Sequence, residues 1–230
     1  MPKAVVFDID NTLYSYDEAH AAAYSALRDY AQRELFLTPG RFDALHREAA
    51  KRLEAHSGGH CAAIHNRLIR YQLMLEIVGL PISHAPAMAR LYWTTLMDNM
   101  KRFPGVREAF EALKAMGCTL GIGTNMTADY QFMKLERLEL IDLINFMVTS
   151  EEASAEKPDR RLFDLCAEKA GCSNRDCAFV GDSPEGDVRG AMNAGMTAVW
   201  FHPVPDDARP PEGALRLRSF QELPELIQSI

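Results

Sequence analysis

The segment 4–12, with the sequence AVVFDIDNT, decides how the rest of the chain is interpreted. Its apolar first half favours a β-strand, because Val, Phe and Ile suit a pleated surface, whereas Asp and Asn favour leaving it. We therefore expect Asp8 and Asp10 where a buried strand ends. At such an end, two carboxylates separated by one residue can reach the same reacting atom. One can act as a nucleophile and the other as a proton donor.

The overall composition is that of a globular protein with a moderately acidic surface. The chain has 230 residues, of which 47% are hydrophobic, so one large domain or two smaller ones can bury a sizeable core. The formal net charge of −7 argues against non-specific binding to nucleic acid, which usually needs a basic face. A small anionic substrate remains compatible with this charge, because a binding site can be locally positive in a protein whose net charge is negative.

The cysteines and the apolar segments indicate the compartment. Five cysteines occur without a CxxC pair, and any pairing scheme leaves one over. Reduced thiols in the cytosol are the expected state. No apolar stretch of signal length precedes Asp8, and no run of 18 apolar residues occurs in the sequence. We therefore expect a soluble, cytoplasmic protein without a membrane partner.

Periodicity divides the chain into two parts. Residues 17–99 show helical spacing of apolar residues and no convincing strand, with a break at 57–59. Beyond residue 105, strand-like runs at 119–123, 146–149, 178–180 and 197–201 alternate with helical segments at 128–138, 160–170 and 185–194. This alternation predicts an α/β fold with a doubly wound parallel sheet. We expect a core of 1–14 and 100–230, with an all-helical cap, 15–99, inserted after the first strand.

Polar residues follow four of the predicted strands. Ligands of open α/β sheets bind beyond the carboxyl ends of the strands, so these residues are expected to converge at one edge. In chain order they are Asp8, Asp10 and Thr12, then Thr124 and Asn125, then Lys157, and finally Asp182 and Asp187.

The expected crowding of carboxylates points to a metal ion. Each like-charged pair about 4 Å apart costs on the order of 4 kcal/mol at an effective dielectric of about 20. A hard divalent cation removes this conflict, and Mg²⁺ binds carboxylates, water and substrate phosphate. Lys157 adds a point charge that can pair with both a nucleophile and a phosphate. We infer a Mg²⁺-dependent site for phosphoryl transfer.

The ordered motifs resemble those of the haloacid dehalogenase superfamily, specifically its phosphatases with a helical cap inserted after the first strand. They are Asp8-x-Asp10-x-Thr12, Thr124-Asn125, Lys157-Pro158 and Gly181-Asp182-(x)4-Asp187, and together they extend over nearly the whole chain. Each motif alone is weak, but the ordered set in its strand–helix context is specific.

The resemblance implies a covalent mechanism. Asp8 attacks phosphorus and forms an aspartyl-phosphate, while Asp10 protonates the leaving alcohol and then activates water. The carboxylates of Asp8 and Asp182, with the backbone carbonyl of Asp10, bind Mg²⁺. This is the usual two-step logic of covalent catalysis.

The remaining motif residues are implied to hold the phosphoryl group or to support the site. Thr124, the amide of Asn125 and Lys157 contact the phosphoryl oxygens. Asp187 orients the metal site or the lysine, and Thr12 supports the same site. Capping of a turn or a helix remains the alternative for Thr12, Thr124 and Asp187, and an ordinary exposed position remains the alternative for Lys157.

The implied reaction is hydrolysis of a small phosphomonoester, such as a nucleotide, a sugar phosphate or phosphoglycolate, under a closing cap. A phosphomutase or phosphotransferase of the same fold remains the main alternative. A 2-haloacid dehalogenase shares the aspartate nucleophile but lacks the second acid, so Asp10 argues against it. A phospho-accepting signalling receiver needs neither the cap nor Asp10. The sequence leaves the substrate and the oligomeric state open.

Within the predicted cap, His65, Asn66, Arg67 and Arg70 place polar and cationic groups at helical spacing. They could contact the distal end of a substrate. A solvated helix face or salt bridges between domains are the alternatives that the sequence leaves open.

Overall fold

Two units make up the fold: Met1–Ser15 together with Lys101–Ile230, and Tyr16–Met100. The computed structural model describes residues 1–59 and 61–230. Within these residues, no helix is both long enough and apolar enough to span a membrane. We call the first unit the α/β unit and the second the helical unit.

The α/β unit is built on one six-stranded sheet whose strand pairs are all parallel. The strands are β1 (Ala4–Phe7), β2 (Thr119–Thr124), β3 (Phe146–Thr149), β4 (Cys177–Gly181), β5 (Thr197–Phe201) and β6 (Leu215–Leu217). Their order in the sheet is β3-β2-β1-β4-β5-β6, so β1 lies between β2 and β4. The predicted doubly wound α/β fold is therefore confirmed.

Six helices of this unit lie between or after these strands in the described residues. They are α5 (Val106–Ala115), α6 (Ala128–Arg137), α7 (Ser150–Ala153), α8 (Arg160–Ala170), α9 (Gly190–Ala194) and α10 (Leu223–Gln228). Four short 3₁₀ or π segments complete the described part of this unit: Ile141–Leu143, Asn174–Asp176, Pro184–Arg189 and Phe220–Glu222.

Burial of β1 anchors the centre of the sheet. All four of its side chains are fully buried, as expected for a parallel strand covered on both faces. Phe7 packs against Phe110 of α5 with a ring-centroid distance of 4.3 Å. On the other face, Val6 shares an apolar cluster with Phe163 of α8. Each such side chain contributes about 1.5–3 kcal/mol on burial, so the strand end that carries Asp8 is firmly held.

Two details of the α/β unit differ from the sequence prediction. Strand β6 was not expected, because it has only three residues and follows a Pro- and Asp-rich loop at 203–211. The helix predicted at 185–194 begins as a π-type segment, Pro184–Arg189, before α9 continues it. In that segment the side chain of Ser183 accepts from the backbone amide of Gly186, which starts the helix close to the end of β4.

The helical unit contains α1 (Tyr16–Glu34), α2 (Pro39–Ser57), α3 (Arg67–Ile77) and α4 (Ala85–Asn99), with 3₁₀ turns at Ala62–His65 and Ile82–His84. The side chains of Thr38 and Asn66 cap α2 and α3 by accepting backbone amide hydrogen bonds. Gly58 ends α2 in the left-handed region with φ 74°, which a glycine adopts without steric cost.

Candidate active site

Three neighbouring strands of the α/β unit end at the site. Asp8 directly follows β1, Thr124 is the last residue of β2, and Asp182 directly follows β4. Phe7 pairs in register with Ile122 on one side and Val180 on the other, so the carboxyl ends of these strands are level. The parallel arrangement therefore brings the Asp8-x-Asp10-x-Thr12, Thr124-Asn125 and Gly181-Asp182 motifs to one edge of the sheet.

Lys157 connects two of the carboxylates. Its Nζ lies 2.6 Å from Asp8 Oδ1 and 2.7 Å from Asp187 Oδ1. Its backbone amide donates to Asn125 Oδ1 at 2.9 Å, which fixes the lysine segment to the end of β2. Burial lowers the pKa of Lys157, but Asp187 and Asp8 outweigh burial and hold the pKa above its ordinary value. The lysine is therefore a fixed positive charge beside Asp8.

Thr12 and Trp200 position Asp182. The Thr12 hydroxyl donates to Asp182 Oδ1 at 3.3 Å and accepts from the Asp182 backbone amide at 3.1 Å. Trp200 Nε1 donates to the Asp182 carbonyl at 2.8 Å. Thr12 is fully buried. Thr12 therefore links the segment after β1 to Asp182, which follows β4.

The donor set of this site fits a divalent cation. One carboxylate oxygen from each of Asp8, Asp182 and Asp187 lies within 4.8 Å of the other two. Burial raises the pKa of Asp8 to about 6, and the Asp187 and Asp10 charges add to this effect while Lys157 opposes it. Burial also raises the pKa of Asp182 to about 7, with Asp8 and Asp187 contributing. Three crowded acids with one lysine leave an excess of negative charge, which a hard cation with oxygen ligands would neutralise.

Gly181 makes room for Asp187. A Cβ atom at position 181 would lie 2.4 Å from Asp187 Cγ, closer than non-bonded carbon atoms come. The Asp187 carboxylate instead accepts from the Ser183 amide at 2.9 Å and pairs with Lys157. Position 181 therefore requires glycine because a larger side chain would collide with Asp187. Asp187 in turn holds Lys157 in place.

Thr124 and Asn125 are held by a glutamine that sequence reasoning missed. Gln131 Nε2 donates to Thr124 Oγ1 at 2.7 Å and to the Asn125 carbonyl at 2.9 Å. Thr124 and Gln131 are both buried. The contact joins α6 to the loop after β2, so the predicted phosphoryl-binding segment has a fixed backbone.

Asp10 has two contacts that sequence reasoning did not anticipate. Lys134 Nζ lies 2.7 Å from both Asp10 carboxylate oxygens, and the Tyr14 hydroxyl donates to Asp10 Oδ1 at 2.6 Å. Lys134 is fully buried in α6, one turn after Gln131. The sequence does contain an indication of these contacts. Gln131, Lys134 and Leu135 lie on the same face of α6, and this face is buried, where polar residues are uncommon. The predicted acid–base residue is therefore held from two sides.

We predict that Lys134→Met lowers kcat about 10- to 100-fold and leaves KM within about twofold. A hydrogen bond to a charged group is worth about 1.5–3 kcal/mol, and here it orients Asp10 without any expected contact to substrate. Lys134→Arg should recover part of the rate. Lys114→Met, at an exposed position of α5, is the matched control. A raised KM with unchanged kcat would contradict a role in positioning Asp10.

The family of the chain follows from comparison with known proteins. The family model described as haloacid dehalogenase-like hydrolase matches residues 2–195. The chain is 34% identical over 205 residues to the ribulose-1,5-bisphosphate 5-phosphatase of Halopiger xanaduensis, a match that covers 88% of this chain and 86% of that protein. It is 32% identical over 203 residues to the glyceraldehyde 3-phosphate phosphatase of Methanopyrus kandleri, covering 86% and 83%.

A solved structure shares the whole fold. The crystal structure named as a 2-haloacid dehalogenase from Pseudomonas syringae pv. Tomato DC3000 matches with a TM-score of 0.77 and 28% identity, over 100% of this chain and 99% of that chain. The family model, the similar sequences and the similar structure all indicate the same family. The chain belongs to the haloacid dehalogenase-like hydrolases, as the motifs predict. It is of the phosphatase type, a hydrolase that acts on phosphoric monoester bonds.

Proposed function

We propose that this protein is a Mg²⁺-dependent phosphatase that hydrolyses a small phosphorylated metabolite through an aspartyl-phosphate on Asp8. The observation that carries the proposal is the arrangement around β1. A buried carboxylate, paired with Lys157 and near Asp182, is followed two residues later by a second carboxylate that Lys134 and Tyr14 hold in place.

In the first step, an Asp8 carboxylate oxygen attacks the phosphorus atom. A bond forms between this oxygen and phosphorus, and the bond from phosphorus to the ester oxygen breaks. Asp10 delivers a proton to that ester oxygen, so the alcohol leaves neutral. Lys157 lies 2.6 Å from Asp8 and balances negative charge on the phosphoryl oxygens.

In the second step, Asp10 takes a proton from water, and the resulting hydroxide attacks the aspartyl-phosphate. The bond between phosphorus and Asp8 breaks, which regenerates the carboxylate and releases inorganic phosphate. General acid–base help of this kind contributes about 10²–10⁴-fold. Thr124 and Asn125, held by Gln131, would contact the phosphoryl oxygens in both steps.

Asp8 and Asp182 would hold Mg²⁺ together with the backbone carbonyl of Asp10, and Asp187 would support them through Lys157. When bound, the cation supplies charge neutralisation for the phosphoryl oxygens. Thr12 contributes by fixing Asp182.

Asp10 supports phosphate hydrolysis over the alternatives. The dehalogenase reaction needs a nucleophile but no second acid, whereas here an acid is held beside the nucleophile by Lys134 and Tyr14. A phosphomutase would retain Asp10, and product analysis separates the two reactions because only hydrolysis releases free phosphate. A signalling receiver has no use for a proton donor at this position.

The names of the relatives narrow the substrate class. They act on a sugar bisphosphate and on a triose phosphate, which favours small sugar phosphates over nucleotides. Phosphoglycolate is compatible in size and charge. We propose that the helical unit serves as the cap that reads the leaving group, and that the protein acts in the cytoplasm.

The direct test is phosphate release from a panel of metabolites with Mg²⁺. The panel contains ribulose 1,5-bisphosphate, glyceraldehyde 3-phosphate, phosphoglycolate and several nucleoside monophosphates. We expect turnover of at least one of the first three, with stoichiometric inorganic phosphate. Substrate isomerisation without free phosphate would instead indicate a mutase.

Mg²⁺ is expected to stabilise the protein as well as activate it. EDTA should abolish turnover, and Mg²⁺ at about 100 times its Kd should add about 2.7 kcal/mol to the free energy of unfolding. For a chain of this length, that corresponds to a rise in Tm of about 5–10 °C. Asp182→Asn should lose most of this shift, while Asp207→Asn, an exposed position, should keep it. A full shift in Asp182→Asn would contradict the assigned ligand.

A further inference from the structure

Two thiols of the α/β unit are in contact at the start of β4. Cys172 Sγ lies 3.3 Å from Cys177 Sγ, and both cysteines are free. A disulfide bond is about 2.05 Å long, so the two sulfur atoms need to approach each other by only about 1.2 Å. Four residues separate the two cysteines in the sequence, so the CxxC pattern does not include them. We call Cys172 and Cys177 the thiol pair.

The backbone on both sides of the thiol pair is fixed by hydrogen bonds. The Cys172 amide donates to the Ala167 carbonyl of α8 at 3.1 Å, and Cys177 is the first residue of β4. Between them, the Asp176 amide donates to the Ser173 carbonyl at 2.9 Å, and the Ser173 hydroxyl donates to Asp176 Oδ2 at 2.9 Å. The fold therefore already holds the two sulfur atoms together, which reduces the entropy cost of joining them.

The two thiols differ in their access to solvent. Cys177 is fully buried, whereas Cys172 is only half-buried. Burial raises the pKa of Cys177 to about 12, and the hydrogen bond with Cys172 adds to this effect. Because the thiolate is the reactive form of cysteine, and because an oxidant must reach it from solvent, Cys172 is the thiol that reacts first. Cys177 lies directly behind it, where a second thiol can attack the oxidised sulfur.

A metal ion does not account for the thiol pair. Among the residues that the structure describes, the only group of three or more possible ligands close enough to share a metal is Asp8, Asp182 and Asp187. Two thiolates alone do not complete the four-ligand coordination of a structural zinc site. Cys166 belongs to the same apolar cluster as Cys177, but it is fully buried, so an oxidant reaches it less readily. Oxidation of the thiol pair to a disulfide therefore fits these contacts best.

We propose that the thiol pair reacts with a hydroperoxide to form a reversible disulfide, and that this bond protects Cys172 from irreversible oxidation. First, the Cys172 sulfur attacks a peroxide oxygen and the O–O bond breaks, which leaves a sulfenic acid on Cys172 and an alcohol or water. The Cys177 sulfur then attacks the Cys172 sulfur, the S–O bond breaks, and the hydroxyl group leaves as water with the Cys177 proton. The thiols lose two electrons and two protons in total, and the peroxide is reduced by two electrons. A dithiol reductant restores both thiols by exchange.

The first experiment identifies the bond. The full-length protein is reduced, freed of reductant, treated with a small excess of hydrogen peroxide, blocked with N-ethylmaleimide and digested with trypsin. Because Arg175 lies between the two cysteines, cleavage separates peptides 170–175 and 176–189, and only the disulfide keeps them together. We expect this linked pair of peptides, and its separation by dithiothreitol. Unlinked and fully alkylated peptides, or a link from Cys177 to Cys166 instead, would overturn the proposal.

The second experiment tests the protection. In Cys177→Ala, excess peroxide should convert Cys172 to the sulfinic and sulfonic acids, which dithiothreitol does not reduce. The wild type should give the linked peptides instead, and equal overoxidation of Cys172 in both proteins would overturn the proposal. Cys172→Ser, a change at a half-buried position, keeps the test informative if Cys177→Ala folds poorly. Its Cys177 should remain a free thiol after the same treatment, and oxidation of Cys177 there would contradict the assigned order of reaction.

The third experiment measures the folded protein. The disulfide closes a loop of six residues, 172–177, so peroxide should raise the Tm of the wild type by about 4–8 °C. Cys61→Ser, which removes another half-buried thiol, should show the same rise, and Cys172→Ser should show none. No rise in the wild type, or an equal rise in Cys172→Ser, would overturn the proposal. None of these measurements depends on phosphatase activity, so the result is independent of the proposed function.

Discussion

Replacing Asp8 with Asn is expected to reduce phosphate release by on the order of 10⁴–10⁶-fold, as loss of a catalytic nucleophile does in other covalent enzymes. Asparagine keeps the shape of the side chain but cannot attack phosphorus or leave as a carboxylate. Lys157 retains Asp187 at 2.7 Å, so its charge stays paired. The measurement is kcat on the best substrate of the panel, with circular dichroism and Tm as checks on folding.

The matched control for this variant is Asp207→Asn, which makes the same chemical change at an exposed position of the α/β unit. It should retain wild-type kcat. Full turnover by freshly purified Asp8→Asn would rule out the covalent mechanism, because no other carboxylate should replace the nucleophile.

Replacing Asp10 with Ala is expected to separate the two steps. With p-nitrophenyl phosphate, the leaving group departs without a proton, so Asp8 should still be phosphorylated. Breakdown of the aspartyl-phosphate needs a base and should slow by about 10²–10⁴-fold. The predicted result is a burst of p-nitrophenolate stoichiometric with enzyme, followed by a slow steady state.

The burst also distinguishes chemistry from misfolding, since a misfolded enzyme gives no burst. Tyr14 and Lys134 lose their shared partner in this variant, so Tm should be measured beside the kinetics. Asp207→Ala serves as the control. An unchanged steady-state rate for Asp10→Ala would contradict the proton-transfer role of this residue.

The sheet and the motif residues were predictable because they depend on local sequence. The strands at 146–149 and 197–201 agree with the predicted limits, and β1 ends where Asp8 begins. Hydrophobic runs bounded by polar residues determine both the strand and the position of the carboxylate after it. The parallel topology then brings the motif residues to one edge of the sheet.

The residues that hold the site were not predictable in the same way. Lys134 and Gln131 lie within a helix whose spacing suggests an ordinary amphipathic segment, and only tertiary packing brings them to Asp10 and Thr124. Arg67 illustrates the same limit. Helical spacing places it beside Arg70, but whether that face is solvated or buried depends on how α1, α3 and α4 pack.

The most direct test of the central claim is to locate the covalent intermediate. The Asp10→Ala variant is mixed with p-nitrophenyl phosphate and Mg²⁺, quenched in acid during the slow phase, digested and analysed by mass spectrometry. We expect one phosphoryl group on the peptide that contains Asp8, assigned to Asp8 by fragmentation and removed by hydroxylamine. Turnover without any phosphorylated peptide, or a phosphoryl group on another residue, would contradict the account.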